Sequence, residues 1–422
     1  MNKKIISLLS LSSIILFTSC SFVDVNNIAK VDSVKTVDNN RHLVDWDNKF
    51  NDSYNKFASK ASILGIDSNE NTCISPISIY SALSMLTFST IGNTQAEILK
   101  YMNTTEEDLK NNYKKLYEAS NYYDSSIDDY RETLFNSIWL HKDFEYNEDG
   151  IKNVSNNACA NIYTIDFTNK YANEYIRDYI KDNTHDLIDQ NFNLDSDTKL
   201  ALINTLYLND PWFQFGDDLG ITNDKLTFTN SDNSKVEDYF MVKSRNGKAF
   251  SNEEIRSMSV STYNGYKITF IVPNDNYKIS DVFNEENIYE AINTKYDDYD
   301  KEKYSYKTIN KFPKFSAESN FDIIDGLIKG GINDVFNPDI ADFSPISKTP
   351  LYCDKIIHST KLGVDRKGII GAATTVVELM DGTAAPDRKI EIVEEFVVDR
   401  AFGYLVSDYK NRVIFSGIIN KI

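Results

Sequence analysis

The chain has 422 residues, of which 41% are hydrophobic and 13% aromatic, enough apolar side chain to bury a sizeable core. It carries 63 acidic residues against 45 basic ones, a formal charge of −18. A surface of that sign repels phosphate backbones, which argues against nucleic acid or another polyanion as partner.

The N-terminus reads as an export signal, residues 1–19. Lys3 and Lys4 supply positive charge, and Ile5 to Phe17 form an apolar run too short to span a bilayer comfortably. The run ends in Phe17-Thr18-Ser19-Cys20. Small residues before a cysteine are similar to a bacterial lipoprotein cleavage site, so Cys20 is the expected lipid attachment point and the protein a cell-envelope lipoprotein. An ordinary secretory signal leading to an extracellular protein is the alternative. Residues 20–45 are polar, without a helical stripe, and read as a flexible tether. Cys73, Cys159 and Cys353 are the other cysteines. Three well-separated thiols make no disulfide framework and read as small buried hydrophobes.

From Trp46 the pattern becomes that of a folded domain, 46–422. Trp46, Phe50, Tyr54, Phe57 and Ala61 recur at helical spacing, and a second helix starts at Pro76. Residues 94–119 and 170–190 are also predicted helical. Thr133–His141 and Leu200–Leu208 are apolar runs typical of buried strands. Strand-like runs follow at 225–229, 235–241, 257–273 and 307–316, then a helix at 320–330. The chain closes with Phe396–Ser407 and Val413–Ile419, joined by the polar turn Asp408–Arg412. Helices come first and strands dominate later, so the class is α+β.

Enzyme chemistry is missing from the motifs. His42, His141, His185 and His358 are the only histidines, and none stands in a metal-ligand spacing. There is no C-x-x-C and no G-x-S-x-G elbow. Gly363 and Gly368 have the spacing of a phosphate loop, but Ile369 follows where lysine is needed. No cofactor, metal or catalytic role is expected.

Several blocks nevertheless form an ordered series. They are Ser75-Pro76-Ile77-Ser78-Ile79 with Ala82-Leu83 and Gly92-Asn93-Thr94; Phe135-Asn136-Ser137-Ile138-Trp139; Asp166-Phe167 with Thr184 and Ile188; and Asn204, Tyr207 and Trp212. Phe312-Pro313-Lys314-Phe315-Ser316, Gly331-Ile332 with Val335-Phe336, Asp399-Arg400-Ala401-Phe402 and Phe415-Ser416-Gly417 complete it. In this order and spacing the series resembles the serpin family over residues 46–422, with Ala401 in place of the usual proline.

The resemblance implies helices clustered around a large central β-sheet, two smaller sheets and an exposed reactive loop at about 368–390. It implies a monomeric suicide-substrate inhibitor of a secreted serine, or alternatively cysteine, endopeptidase. The target cuts the loop, whose freed end inserts into the central sheet and carries the acylated protease with it. It also implies a sheet-opening cluster of Ser75, Ser78, Asn204, His358 and Trp212, and a hinge containing Gly368, Ile369, Gly371, Ala372, Ala373 and Thr374. A non-inhibitory serpin acting as a surface binding or carrier protein is the competing reading. The hinge separates the two, because 368–377 holds no charge and no proline.

As a strand this segment would put Ile369, Gly371, Ala373 and Thr375 on one face. Family spacing puts the scissile bond at Gly382–Thr383, with Leu379, Met380 and Arg388 as rival specificity residues. Thr383-Ala384-Ala385 suits an elastase- or subtilisin-like pocket. Two departures stand out. Ile369 is bulkier than the threonine or serine usual in the family. Arg366 replaces a glutamate that the family pairs with the lysine at Lys314, which implies two cations facing each other where the sheet opens.

Overall fold

The computed structural model describes residues 23–30, 47–66, 69–123, 131–189, 194–213, 217–369 and 389–422. Its organising element is an eight-stranded sheet. In chain order its main strands are β1 (Val25–Ala29), β2 (Arg131–His141), β3 (Ala160–Ile165), β4 (Leu200–Pro211), β5 (Phe315–Asp322), β6 (Lys355–Val364) and β7 (Gly368–Ile369). In space they run β1-β3-β2-β4-β7-β6-β5, and Tyr122–Tyr123 pairs with one end of β2. A five-stranded sheet, a four-stranded sheet and a two-stranded hairpin complete the β-structure. The expected α+β class and its central sheet with two smaller sheets are therefore present.

Helix α1 (Asn48–Ala61) starts where the Asp47 carboxylate accepts the Lys49 N–H, and it buries Phe50, Tyr54 and Phe57. Helix α2 (Pro76–Ser89) starts at Ser75, whose hydroxyl accepts the Ser78 N–H, with proline at its first position. Every residue of α2 is buried. Its serines and threonines are accommodated because Ser84, Thr87 and Ser89 donate to the carbonyls of Tyr80, Leu83 and Met85 in their own helix.

The central sheet separates two cores. On β4, Leu200, Leu202, Leu206 and Leu208 face the large core around α2, while Ala201 and Ile203 face a smaller one. The smaller core is closed by helix α3 (Ala172–Asn183) through Ala172, Ile176 and Ile180, over Trp139 of β2.

Three expectations change. The strand read at 307–316 is two strands, Tyr304–Phe312 and Phe315–Asp322, and the one read at 396–407 is also two, Ile390–Val397 and Phe402–Ser407. The turn at Asp408–Arg412 is polar, but its two ends are buried. Asp408 and Arg412 are each 1% exposed and pair with each other, the Arg412 Nε donating to Asp408 Oδ2 at 2.8 Å. The third change concerns the segment read as a tether. Val25–Ala29 pairs antiparallel with β3 as the edge strand of the central sheet. No helix among the described residues is long and apolar enough to cross a membrane.

Candidate functional site: the opening of the central sheet

Strands β4 and β6 are neighbours along only part of their length. At one end Ala201, Leu202 and Ile203 pair in parallel with Lys355, Ile356 and Ile357. At the other end β7 lies between them: Gly368 pairs with Pro211, and Ile369 pairs with both Asp210 and Val364. A Cβ at Gly368 would stand 2.2 Å from the Asp210 carbonyl oxygen, so this approach requires glycine. Ile369 is fully buried and belongs to the large core. Its extra bulk is thus accommodated inside the sheet.

The polar cluster lies where the β4–β6 ladder ends. Asn204 and His358 are the next residues after the last paired couple, Ile203 and Ile357. Nε2 of His358 accepts the Ser75 N–H at 3.1 Å, and the Ser75 hydroxyl donates to the Ser78 hydroxyl at 2.9 Å. That geometry assigns the ring proton to Nδ1. Burial holds the His358 pKa down, at about 4.

Asn204 belongs to a second string. Its Nδ2 donates to Asn136 Oδ1 at 2.6 Å, and Asn136 in turn donates to the Tyr113 hydroxyl at 2.7 Å. The Asn204 Oδ1 is buried and has no hydrogen-bond partner. The five expected residues therefore do not make one cluster. Ser75, Ser78 and His358 join directly, and Asn204 bonds through Asn136 instead. Trp212 stands at the far end of β4, beside the hinge.

There the Trp212 backbone N–H donates to the Lys367 carbonyl at 3.0 Å, and its indole Nε1 donates to the Asp365 carbonyl at 2.7 Å. Its ring packs edge-on against Phe312 at 5.9 Å. Lys243 stacks over Phe213 at 4.3 Å, within reach of the Trp212 carbonyl, and burial pulls its pKa down to about 8. Asn136, Tyr113, Asp365 and Lys243 were not anticipated as site residues. Asn136 had a signal, since it lies in the Phe135–Trp139 run, but there it reads only as part of a strand.

Arg366 does not face Lys314. Its Nε donates to the Leu219 carbonyl at 3.1 Å and its Nη2 lies 3.4 Å from Asp218, while Lys314 lines a separate cleft with Asp365. This replaces the expected cation pair with an attraction. Arg366→Glu would set two carboxylates against each other and is expected to lower the unfolding midpoint by about 2 °C or less, because the pair is half-exposed. The loss should fade in high salt. Thermal scans at two ionic strengths check both the sign and the salt effect.

Gly371, Ala372, Ala373, Thr374, the Gly382–Thr383 bond and Cys20 all lie outside the described residues.

The comparisons with known proteins agree with this architecture. The family profile of the serpins (serine protease inhibitors) matches residues 52–422. An uncharacterised serpin-like protein of Methanosarcina acetivorans is 26% identical over 364 residues, covering 82% of this chain and 80% of the relative. Alpha-1-antiproteinase S of Cavia porcellus is 26% identical over 80% of this chain and 81% of its own. Among solved structures, the thermophilic serpin tengpin in its native state superposes with a TM-score of 0.75 at 23% identity, over 90% of this chain and 95% of tengpin. Human thyroxine-binding globulin, solved with its ligand, gives 0.73 at 18% identity over 88% and 98%. With a profile match from residue 52 to residue 422, over the sheet architecture described above, this chain belongs to the serpin family.

Proposed function

We propose that the protein is an exported trapping inhibitor of a serine or cysteine endopeptidase rather than a catalyst or a carrier. The observation that carries this reading is β7. Gly368 and Ile369 already occupy the space between the ends of β4 and β6. The sequence that follows, to Val377, is small or apolar and uncharged. This position supports reading β7 as the start of an insertable strand, and nothing in the composition that follows opposes its continuation. After residue 388 the chain enters the four-stranded sheet at Ile390. Both ends of the proposed bait loop are therefore held, as cleavage followed by insertion requires.

The scissile bond is proposed at Gly382–Thr383, with an elastase- or subtilisin-like protease as target. Incubating the purified protein with a protease panel tests this. An SDS-stable covalent complex and a cut after Gly382 are expected. Clean cleavage without a complex across the panel would remove the trapping mechanism and leave the carrier reading.

The N-terminus is proposed to be a lipid-modified Cys20. Intact mass of membrane-extracted protein checks it, and an unmodified mature chain in the soluble fraction refutes it.

A further inference from the structure

Strand β1 changes what a lipid on Cys20 would do. Were residues 20–45 a free tether, the 26-residue step from Cys20 to Trp46 would reach about 85 Å. Residues 23–29 are instead engaged with the folded domain. Val23 and Val25 pack against the smaller core, and Ile28 and Ala29 pack against the larger one. Asn27 hydrogen bonds the Tyr163 hydroxyl, whose ring stacks on Trp139 at 4.5 Å. Backbone pairing runs from Val25 opposite Ile165 to Ala29 opposite Ile162. Only three residues separate Cys20 from Val23, a reach of about 10 Å.

The strand register says which end of the molecule this is. Val25 pairs with Ile165, Ile165 pairs with His141, and the His141 N–H donates to the Lys199 carbonyl at the start of β4. Gly368 pairs with Pro211 at the other end of the 12-residue β4, which puts it about 36 Å away along the sheet.

We propose that β1 is an orienting clamp. Resting on the lipid reading for Cys20, it seats the molecule with the Leu200 end of the central sheet on the lipid surface and the reactive-loop end facing away from it. The clamp leaves the loop open to proteases arriving from outside. A protease carried the length of the sheet would then finish at the membrane.

The test uses the full chain, exported and lipidated, in phosphatidylethanolamine–phosphatidylglycerol vesicles doped with a headgroup-labelled acceptor. Donor dyes are placed one at a time, through Asp143→Cys beside His141 and through Ile221→Cys beside the hinge. Both positions are exposed, whereas Cys73, Cys159 and Cys353 are buried. Energy transfer should be several-fold stronger from position 143. Val25→Asp, which would press a carboxylate onto the smaller core, should bring the two signals together. Asn26→Pro, which removes a ladder donor without touching that core, should do the same. If Val25→Asp fails to fold, the parent ratio and Asn26→Pro still decide. Equal transfer from both positions in the lipidated parent overturns the orientation alone. Absence of lipid by intact mass overturns the anchor and, with it, the orientation.

Discussion

Replacing Ala373 with Arg is expected to turn the proposed trap into a substrate. The observed register of β7 allows the argument to be made residue by residue. Gly368 lies opposite Pro211 and Ile369 opposite Asp210. A strand continuing in the same antiparallel register brings Ala373 opposite Leu206 and Thr375 opposite Asn204. Leu206 is 3% exposed and faces the large core, on the same side of the sheet as Ile369. An arginine inserted there would be buried without a partner, at a cost of several kcal/mol. Insertion would stall, deacylation would win, and the stoichiometry of inhibition should rise by about tenfold or more, since each 1.4 kcal/mol shifts the partition by that factor.

The neighbouring substitution is the control. In the same register Ala372 lies opposite Tyr207, on the other face, where the His185 ring packs at 4.8 Å. Ala372→Arg is therefore expected to be milder. Titration of a sensitive protease, with SDS gels for the complex, checks the pair. Unchanged stoichiometry in Ala373→Arg would mean that the strand does not enter in this register. The projection also brings the Thr375 hydroxyl to the Asn204 Oδ1, the buried acceptor that has no partner before insertion. Loop entry would then relieve an unsatisfied polar group at the seam, a contribution of about 1–3 kcal/mol in favour of the inserted state.

Much of this was legible because the residues involved obey local rules. Ser75 followed by Pro76 is a helix start on chemistry alone, and the cap forms as that chemistry dictates. Val413–Ile419 is apolar but for Ser416 and Gly417, and it forms a strand over those same residues.

The failures have a common cause, which is that the deciding partner is remote in sequence. Strand β6 buries Ile356, His358, Thr360, Leu362 and Val364 at alternate positions, but the polar His358 and Thr360 break its hydrophobic signal. Its identity as a strand is set by pairing with β5. Val25–Ala29 contains two asparagines and reads as linker. It becomes a strand because β3, over 130 residues away, offers an open edge and a hydrophobic surface on each side. Arg366 was assigned a neighbour by family pattern, and Asp218 took that place through tertiary proximity. No spacing rule connects Asn204 to Asn136 either, because they meet only through the antiparallel register of β2 and β4.

Acid should destabilise the seam between β4 and β6, with His358 as the group responsible. Free histidine titrates near 6.5, and burial lowers the His358 pKa to about 4 in the folded chain. Between those values the unfolded chain holds a proton that the native chain does not, so stability rises with pH across the window. The stabilisation is fully present above pH 6.5 and is lost as the pH falls toward 4. The span corresponds to about 3 kcal/mol. Protonation also removes the acceptor for the Ser75 N–H, 3.1 Å from Nε2, and places a cation where the β4–β6 ladder ends. The expected result on acidification is a lower unfolding midpoint together with faster spontaneous loop insertion or polymerisation. The global charge acts in the opposite direction, because protonating the carboxylates of a chain at −18 relieves self-repulsion. His358→Gln separates the two effects. An amide oxygen can accept the Ser75 N–H but cannot titrate, so this variant should start less stable at pH 7.5 and lose little more between pH 6.5 and 4.5. The measurement is a series of thermal scans and native gels for both proteins across that range. Because unfolding of a metastable fold is governed by rate, the midpoints must be compared at one scan rate. A parallel acid slope in both proteins would remove His358 as the cause.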